Sequence, residues 1–170
     1  MTHPLYSASV PVYKKMLSAL DTILTITEQH VAAKKIEPDA LLQARLFPDM
    51  FTFVRQVQIA CDFAKSVPAR LAGVDVPSYE DNERTFADLR ARIAKTLAFA
   101  DGVSEAKFAG TEQREIVLRA GTPRERKFAG GEAYLLSYGL PQFFFHVATA
   151  YGLLRHNGVE LGKADYMGES

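Results

Sequence analysis

Tyr138, Gln142, His146 and Thr149 follow one another at steps of four, four and three residues. On an α-helix these steps line one edge, because side chains three and four apart are neighbours. Phe143, Phe144, Phe145, Val147, Leu153 and Leu154 surround them, so the edge is a polar strip on an otherwise apolar helix. Buried polar groups must find partners, and an imidazole among a phenol, an amide and a hydroxyl supports two readings. His146 is a metal ligand or general base in a pocket between helices, or the strip is a hydrogen-bond network that fixes helix register. Spacing leaves both open.

A protein metal site usually takes three side-chain ligands, for zinc commonly three histidines or two with a carboxylate. The chain has four histidines, His3, His30, His146 and His156. His146 and His156 are ten apart and project from different faces of one helix, and no H-x-x-x-H or H-E-x-x-H occurs. Carboxylates of the second predicted helix, Asp62 or Asp49, are the remaining donors within reach of this reading. His156 falls at the end of its helix, where a positive charge is favoured. The single cysteine, Cys61, lies on an apolar stripe, where a thiol is an inert small hydrophobe with a raised pKa. A Cys61–His146 nucleophile–base pair is the reactive alternative.

Arg119, Arg124, Arg126 and Lys127 make one short segment basic. No aromatic residues interleave with them as a nucleic-acid stacking platform requires, so they read as charges that keep an exposed strand edge from pairing. Gly130-Gly131 before a helix lacks the fuller phosphate-binding patterns, and there is no G-x-S-x-G elbow. With 20 Lys+Arg against 20 Asp+Glu, the net charge is zero. That argues against a general affinity for nucleic acid or an anionic membrane surface. One cysteine excludes an internal disulfide framework. Met1–Val10 has no basic run followed by an apolar core, so the expectation is a reduced, cytoplasmic protein.

The elements that position these groups are legible from periodicity. A length of 170 residues at 48% hydrophobic fits one domain, residues 1–170, with a sizeable core. Tyr13, Met16, Leu17, Leu20, Ile23, Leu24 and Val31 predict a helix over 9–35. Pro38 and Pro48 each suit a first helical turn, with a helical turn or two over 39–46 between them. Met50, Phe53, Val54, Val57, Cys61, Ala64 and Leu71 predict a second helix over 48–72, stopped by Gly73. Ser78 with Asp81 suggests the start of a third, carrying Phe86, Leu89, Ile93, Leu97 and Ala100 to Asp101-Gly102. Over 115–128 the period switches to two, with turn chemistry at Gly121-Thr122-Pro123, which predicts a small β-hairpin. A fourth helix is expected over 132–156, kinked at Pro141. The polar tail 159–170 is expected to dock loosely. Residues 133–154 carry no formal charge, but Ser137, Gln142 and His146 are costly in lipid, so this is read as a buried bundle helix and no membrane span is expected. Four such helices make a four-helix bundle the economical solution.

The stretch 141–158, PQFFFHVATAYGLLRHNG, resembles the last helix of an uncharacterised branch of the DinB/YfiT-like superfamily. Leu42-Gln43-Ala44-Arg45-Leu46, Pro48-Asp49-Met50 and the run 55–62, RQVQIACD, agree with its second helix, and the resemblance covers nearly the whole chain. It implies an all-α, up-down-down-up four-helix bundle, with the hairpin before the last helix, and often a homodimer. Better-studied members resemble divalent-metal proteins, some of them thiol-dependent transferases or isomerases. Their metal sits on one histidine of the second helix and an H-x-x-x-H of the last. His146 matches the first histidine of that pair and Gly152 the glycine after it. The position four later is Ala150, and the second-helix block offers Gln58 and no histidine. A single imidazole with an amide is a poor site for zinc or nickel.

Two functions are therefore expected to compete. One is a small-ligand-binding or scaffold homodimer with a degraded metal pocket around His146, flanked by Tyr138, Gln142, Thr149, Gln58 and Asp62. The other is a divalent-metal-dependent hydrolase or thiol transferase that uses His146.

Overall fold

The computed structural model describes residues 2–169; Met1 and Ser170 lie outside them. Its helices are α1 (Pro4–Ser7), α2 (Val10–Lys34), α3 (Pro38–Leu42), α4 (Phe53–Ala72), α5 (Phe86–Asp101), α6 (Gly131–Tyr134), α7 (Leu140–His156) and α8 (Lys163–Met167). A 3-10 turn, Glu105–Phe108, and a hairpin of β1 (Ile116–Leu118) and β2 (Arg126–Phe128) separate α5 from α6. A π-turn, Leu135–Gly139, joins α6 to α7. The four long helices close a bundle with the expected small hairpin. Each of α2 and α4 packs against both α5 and α7, so the second long helix sits beside the third and fourth while the first and third also adjoin.

The apolar stripes meet inside. Tyr13, Leu17, Leu20, Ile23 and Leu24 of α2 are buried with Phe53, Val57, Cys61 and Ala64 of α4, Leu89 and Ile93 of α5, and Phe143, Val147 and Leu154 of α7. Sequestering this apolar surface supplies the main driving force, roughly 25 cal/mol per Å² removed from water.

Two helix starts differ from expectation. α4 begins at Phe53, not near Pro48, because the Thr52 hydroxyl accepts from the Arg55 N–H and forms the cap. Pro48 falls in a turn that precedes it. α5 begins at Phe86, not near Ser78, because Thr85 and Asp88 make a full capping box. The residues from Ser78 to Asn82 are loop instead. Gly73 stops α4 in the left-handed conformation at φ +69°, as expected.

The hairpin pairs Ile116 with Phe128, Val117 with Lys127 and Leu118 with Arg126. Ile116 and Leu118 are buried and Val117 is half-buried, so one face leans on the helices as an isolated two-stranded ribbon must. Pro141 does not kink a continuous helix. The chain takes a π-turn just before it, in which the Leu140 N–H donates to the Leu135 carbonyl five residues back. Widening the turn accommodates a ring that has no N–H to give. The tail is not loosely docked: Val159 and Leu161 are buried, and Tyr166 of α8 meets the edge of Tyr151. None of the described helices is long and apolar enough to cross a membrane.

Candidate functional site

His146 sits on the inner side of α7 with 6% of its surface exposed. Its Nδ1 lies 2.7 Å from Oε1 of Gln56, on α4. The Gln56 amide nitrogen faces the Phe51 carbonyl at 3.4 Å, which turns its oxygen toward the ring. Nδ1 therefore donates, and the neutral imidazole keeps its lone pair on Nε2. Phe63 lies nearly parallel to the imidazole, with centroids 6.1 Å apart and 17° between planes, and Phe145 meets it edge-on at 5.2 Å. Burial and, after it, the Arg55 guanidinium push the imidazole down to about 4, so it is uncharged at neutral pH.

The polar strip does not form one connected network. Thr149 turns its hydroxyl back to the Phe145 carbonyl one helical turn earlier. Gln142 is half-buried. Tyr138 belongs to an aromatic cluster, with centroids 5.4 Å from Phe128, 5.9 Å from Tyr134 and 5.7 Å from Phe63. Phe63 is thus the shared wall between Tyr138 and His146.

Gln58 and Asp62 face elsewhere. Gln58 accepts from Arg55 at 3.1 Å and donates to Glu83 at 2.7 Å. Asp62 pairs with Lys65 and with Arg92, each at 2.9 Å. Arg92 is almost wholly buried and also bonds Asp81 and Glu83, both at 3.0 Å. Tyr79, on the loop before α5, lies beneath the ammonium groups of Lys65 and Lys95, 3.8 and 4.1 Å from its centroid. These contacts strap the 74–84 loop over α4 and α5. Cys61 points into the same region. Burial raises its thiol to about 12, with Thr96, Arg92, Asp62 and Glu83 the polar groups that bear on it, so it is no nucleophile.

A divalent ion does not fit these donors. One imidazole lone pair remains, Ala150 stands where a second histidine would project, and Gln58 and Asp62 are held by cations. The Arg55 field that disfavours a proton on the ring opposes any other cation there too. Among the described residues no three of His, Cys, Asp and Glu converge.

Beyond the shared Phe63 wall lies a cavity of about 170 Å³. Asp62, Phe63, Ser66 and Arg70 of α4, Tyr138 of the π-turn, and Leu118 with Arg119 of the hairpin line it. Sequence reading placed Tyr138 and Asp62 near a pocket but missed Gln56, Phe63, Ser66 and Arg92. Gln56 was detectable: it stands three after Phe53 and four before Ala60, on the inward stripe. Arg92 lies likewise between Leu89, Ile93 and Thr96.

A family model described as a domain of unknown function, DUF1993, matches residues 5–167. Among solved structures, a DinB family member protein from Shewanella denitrificans is 42% identical. The match covers 96% of this chain and 92% of that chain, with a TM-score of 0.89. No curated protein matches.

Proposed function

Since the chain belongs to the DUF1993 family and is DinB-like along its length, we propose that it is a cytoplasmic, homodimeric small-ligand-binding bundle in which the metal position of the wider superfamily has become structural. The observation that carries this reading is the 2.7 Å bond between His146 Nδ1 and Gln56 Oε1. It ties the imidazole to a neutral amide inside the bundle, with aromatic rings as its other neighbours.

The work left to the fold is recognition. Helix α4, the π-turn and the hairpin together line a cavity. Phe63 divides the packed imidazole from this cavity, where hydroxyl, guanidinium and aromatic groups converge on a space large enough for a small molecule. Cys61 offers no thiolate and His146 no imidazolium at neutral pH, so the site supplies neither a thiolate nucleophile nor a charged general acid.

Elemental analysis of protein purified without chelator tests the reading, alongside thermal shifts with zinc, nickel and manganese. A ligand of the native state raises the melting temperature by mass action. Metal content well below one per chain and unmoved melting curves are expected. Uptake of one ion per chain, abolished by His146→Ala, would establish the metal-dependent enzyme in its place. Equilibrium sedimentation reads the dimer separately; a monomer across the micromolar range removes that part alone.

A further inference from the structure

We infer that the cavity beside Phe63 is a site for a small carboxylate carrying a flat apolar group. The inference rests on the small-ligand reading above and names its ligand class.

The charges around the cavity do not cancel locally. The one carboxylate that lines it, Asp62, is already matched: it pairs with Lys65 and Arg92, in a network that Asp81, Glu83 and Arg55 extend away from the cavity lining. Three guanidiniums are left over. Arg70 and Arg119 line the cavity, and Arg126 lies over the Tyr138 ring with its guanidinium carbon 5.4 Å from the centroid. Among the described residues none of these three reaches a carboxylate within 4.0 Å. Arg70 is steadied from behind, donating to the Tyr134 hydroxyl at 3.2 Å, while Arg114 holds its carbonyl. A guanidinium presents paired N–H donors that match the two oxygens of a carboxylate.

Arg119 adds an independent sign. Its φ is +52°, a left-handed conformation that a residue with a long side chain rarely adopts. The turn holds it there: the Thr122 N–H and hydroxyl both donate to the Arg119 carbonyl. Glycine or asparagine would sit in this turn with less strain. An arginine kept in such a conformation at the lip of a cavity points to a role for its guanidinium.

The walls define the rest of the ligand. Phe63, Tyr138 and Leu118 supply its apolar surface, the two rings packed edge to face at 65°, and aromatic walls suit a planar apolar body. Ser66 and Tyr138 bring uncharged hydroxyls to the lining. A volume of about 170 Å³ is below the roughly 300 Å³ at which drug-sized pockets begin, which limits the body to about one ring.

Calorimetric titration of the full chain with benzoate, benzyl alcohol and inorganic phosphate tests this. Benzoate is expected to bind saturably at one per chain, and benzyl alcohol and phosphate at least tenfold more weakly. Arg119→Asn should weaken benzoate at least fivefold while the melting temperature holds or rises, and Ser66→Phe should abolish binding by filling the cavity. His146→Phe should leave benzoate affinity unchanged. Silence with benzoate, or an unaltered affinity in both Arg119→Asn and Arg126→Gln, overturns the assignment. Benzyl alcohol binding as tightly as benzoate overturns it too, but leaves the small-ligand reading standing; phosphate binding as tightly shows that charge alone is read and also overturns it. One metal ion per chain bound through His146 sinks the broader reading without deciding whether benzoate binds.

Discussion

His146 Nδ1 and Gln56 Oε1 stand 2.7 Å apart across the α4–α7 contact, although ninety residues separate them in the chain. Gln56 is itself oriented by the Phe51 carbonyl, so the pair fixes both the tautomer of the ring and the register of two helices. Removing one partner leaves a buried polar group unsatisfied, at about 1–3 kcal/mol, whereas replacing both with apolar groups of similar shape is nearly neutral. Gln56→Leu and His146→Phe should each destabilise by that amount, and the double variant by clearly less than their sum. Urea denaturation of the four proteins measures the coupling; strict additivity would show that the bond contributes nothing.

The same pair gives the protein a pH-dependent stability. The folded imidazole titrates at about 4 and an unfolded one at about 6.5. As pH falls below about 6.5 the unfolded chain takes up a proton that the folded chain refuses, so unfolding becomes easier. The contribution is fully present above about 6.5 and is lost progressively down to about 4, with a ceiling of about 3 kcal/mol. Unfolding free energies between pH 7.5 and 4.5 should fall more steeply for the native chain than for His146→Phe. Equal slopes would place the imidazole in contact with bulk water.

Arg92 is expected to hold the 74–84 loop. Its guanidinium bonds Asp62, Asp81, Glu83 and the Glu80 carbonyl. Breaking a buried pair by removing one member typically costs about 3–5 kcal/mol. Asp62 and Asp81 are each more than a third exposed, so Arg92→Met should cost less, about 2–3 kcal/mol. Proteolysis should then cut first within residues 74–84, while the α4–α7 side stays protected. Unchanged cleavage kinetics would show that the loop is held by something else.

Gly139 closes the π-turn against α4. A Cβ there would lie 3.0 Å from both methyl groups of Val67 and 3.1 Å from the Tyr13 hydroxyl oxygen. Gly139→Ala should cost about 1–3 kcal/mol through overpacking, and Val67→Ala should recover part of the loss in the double variant. Melting temperatures of the three variants check this; an unaffected Gly139→Ala would mean that the turn relaxes freely.

The architecture was readable because burial imposes period on sequence. The Phe53–Val57–Cys61–Ala64 stripe of α4 and the two-residue alternation at Ile116–Leu118 are direct records of which side meets the core. Helix starts were less readable, since Ser78 and Thr85 both precede an Asp by three, and only the packing of Phe86 and the anchoring of Tyr79 decide between them. The site was half legible. Steps of four and three identified His146 as inward-facing, but the π-turn changes how Tyr138 relates to it, and no spacing announces a π-turn beyond the bare presence of Pro141. The ion pairs of Asp62, and the bringing of Arg70 of α4 and Arg119 of the hairpin to one cavity, are tertiary facts with no local signature.

Imidazole nitrogen resonances of His146, recorded near neutral pH before and after one equivalent of zinc, test most directly whether the ring is tied to Gln56 and free of metal. A protonated Nδ1, an unprotonated Nε2, and no movement of either on adding the metal are expected. An Nε2 resonance that shifts stoichiometrically with zinc would show the ring to be a metal ligand instead.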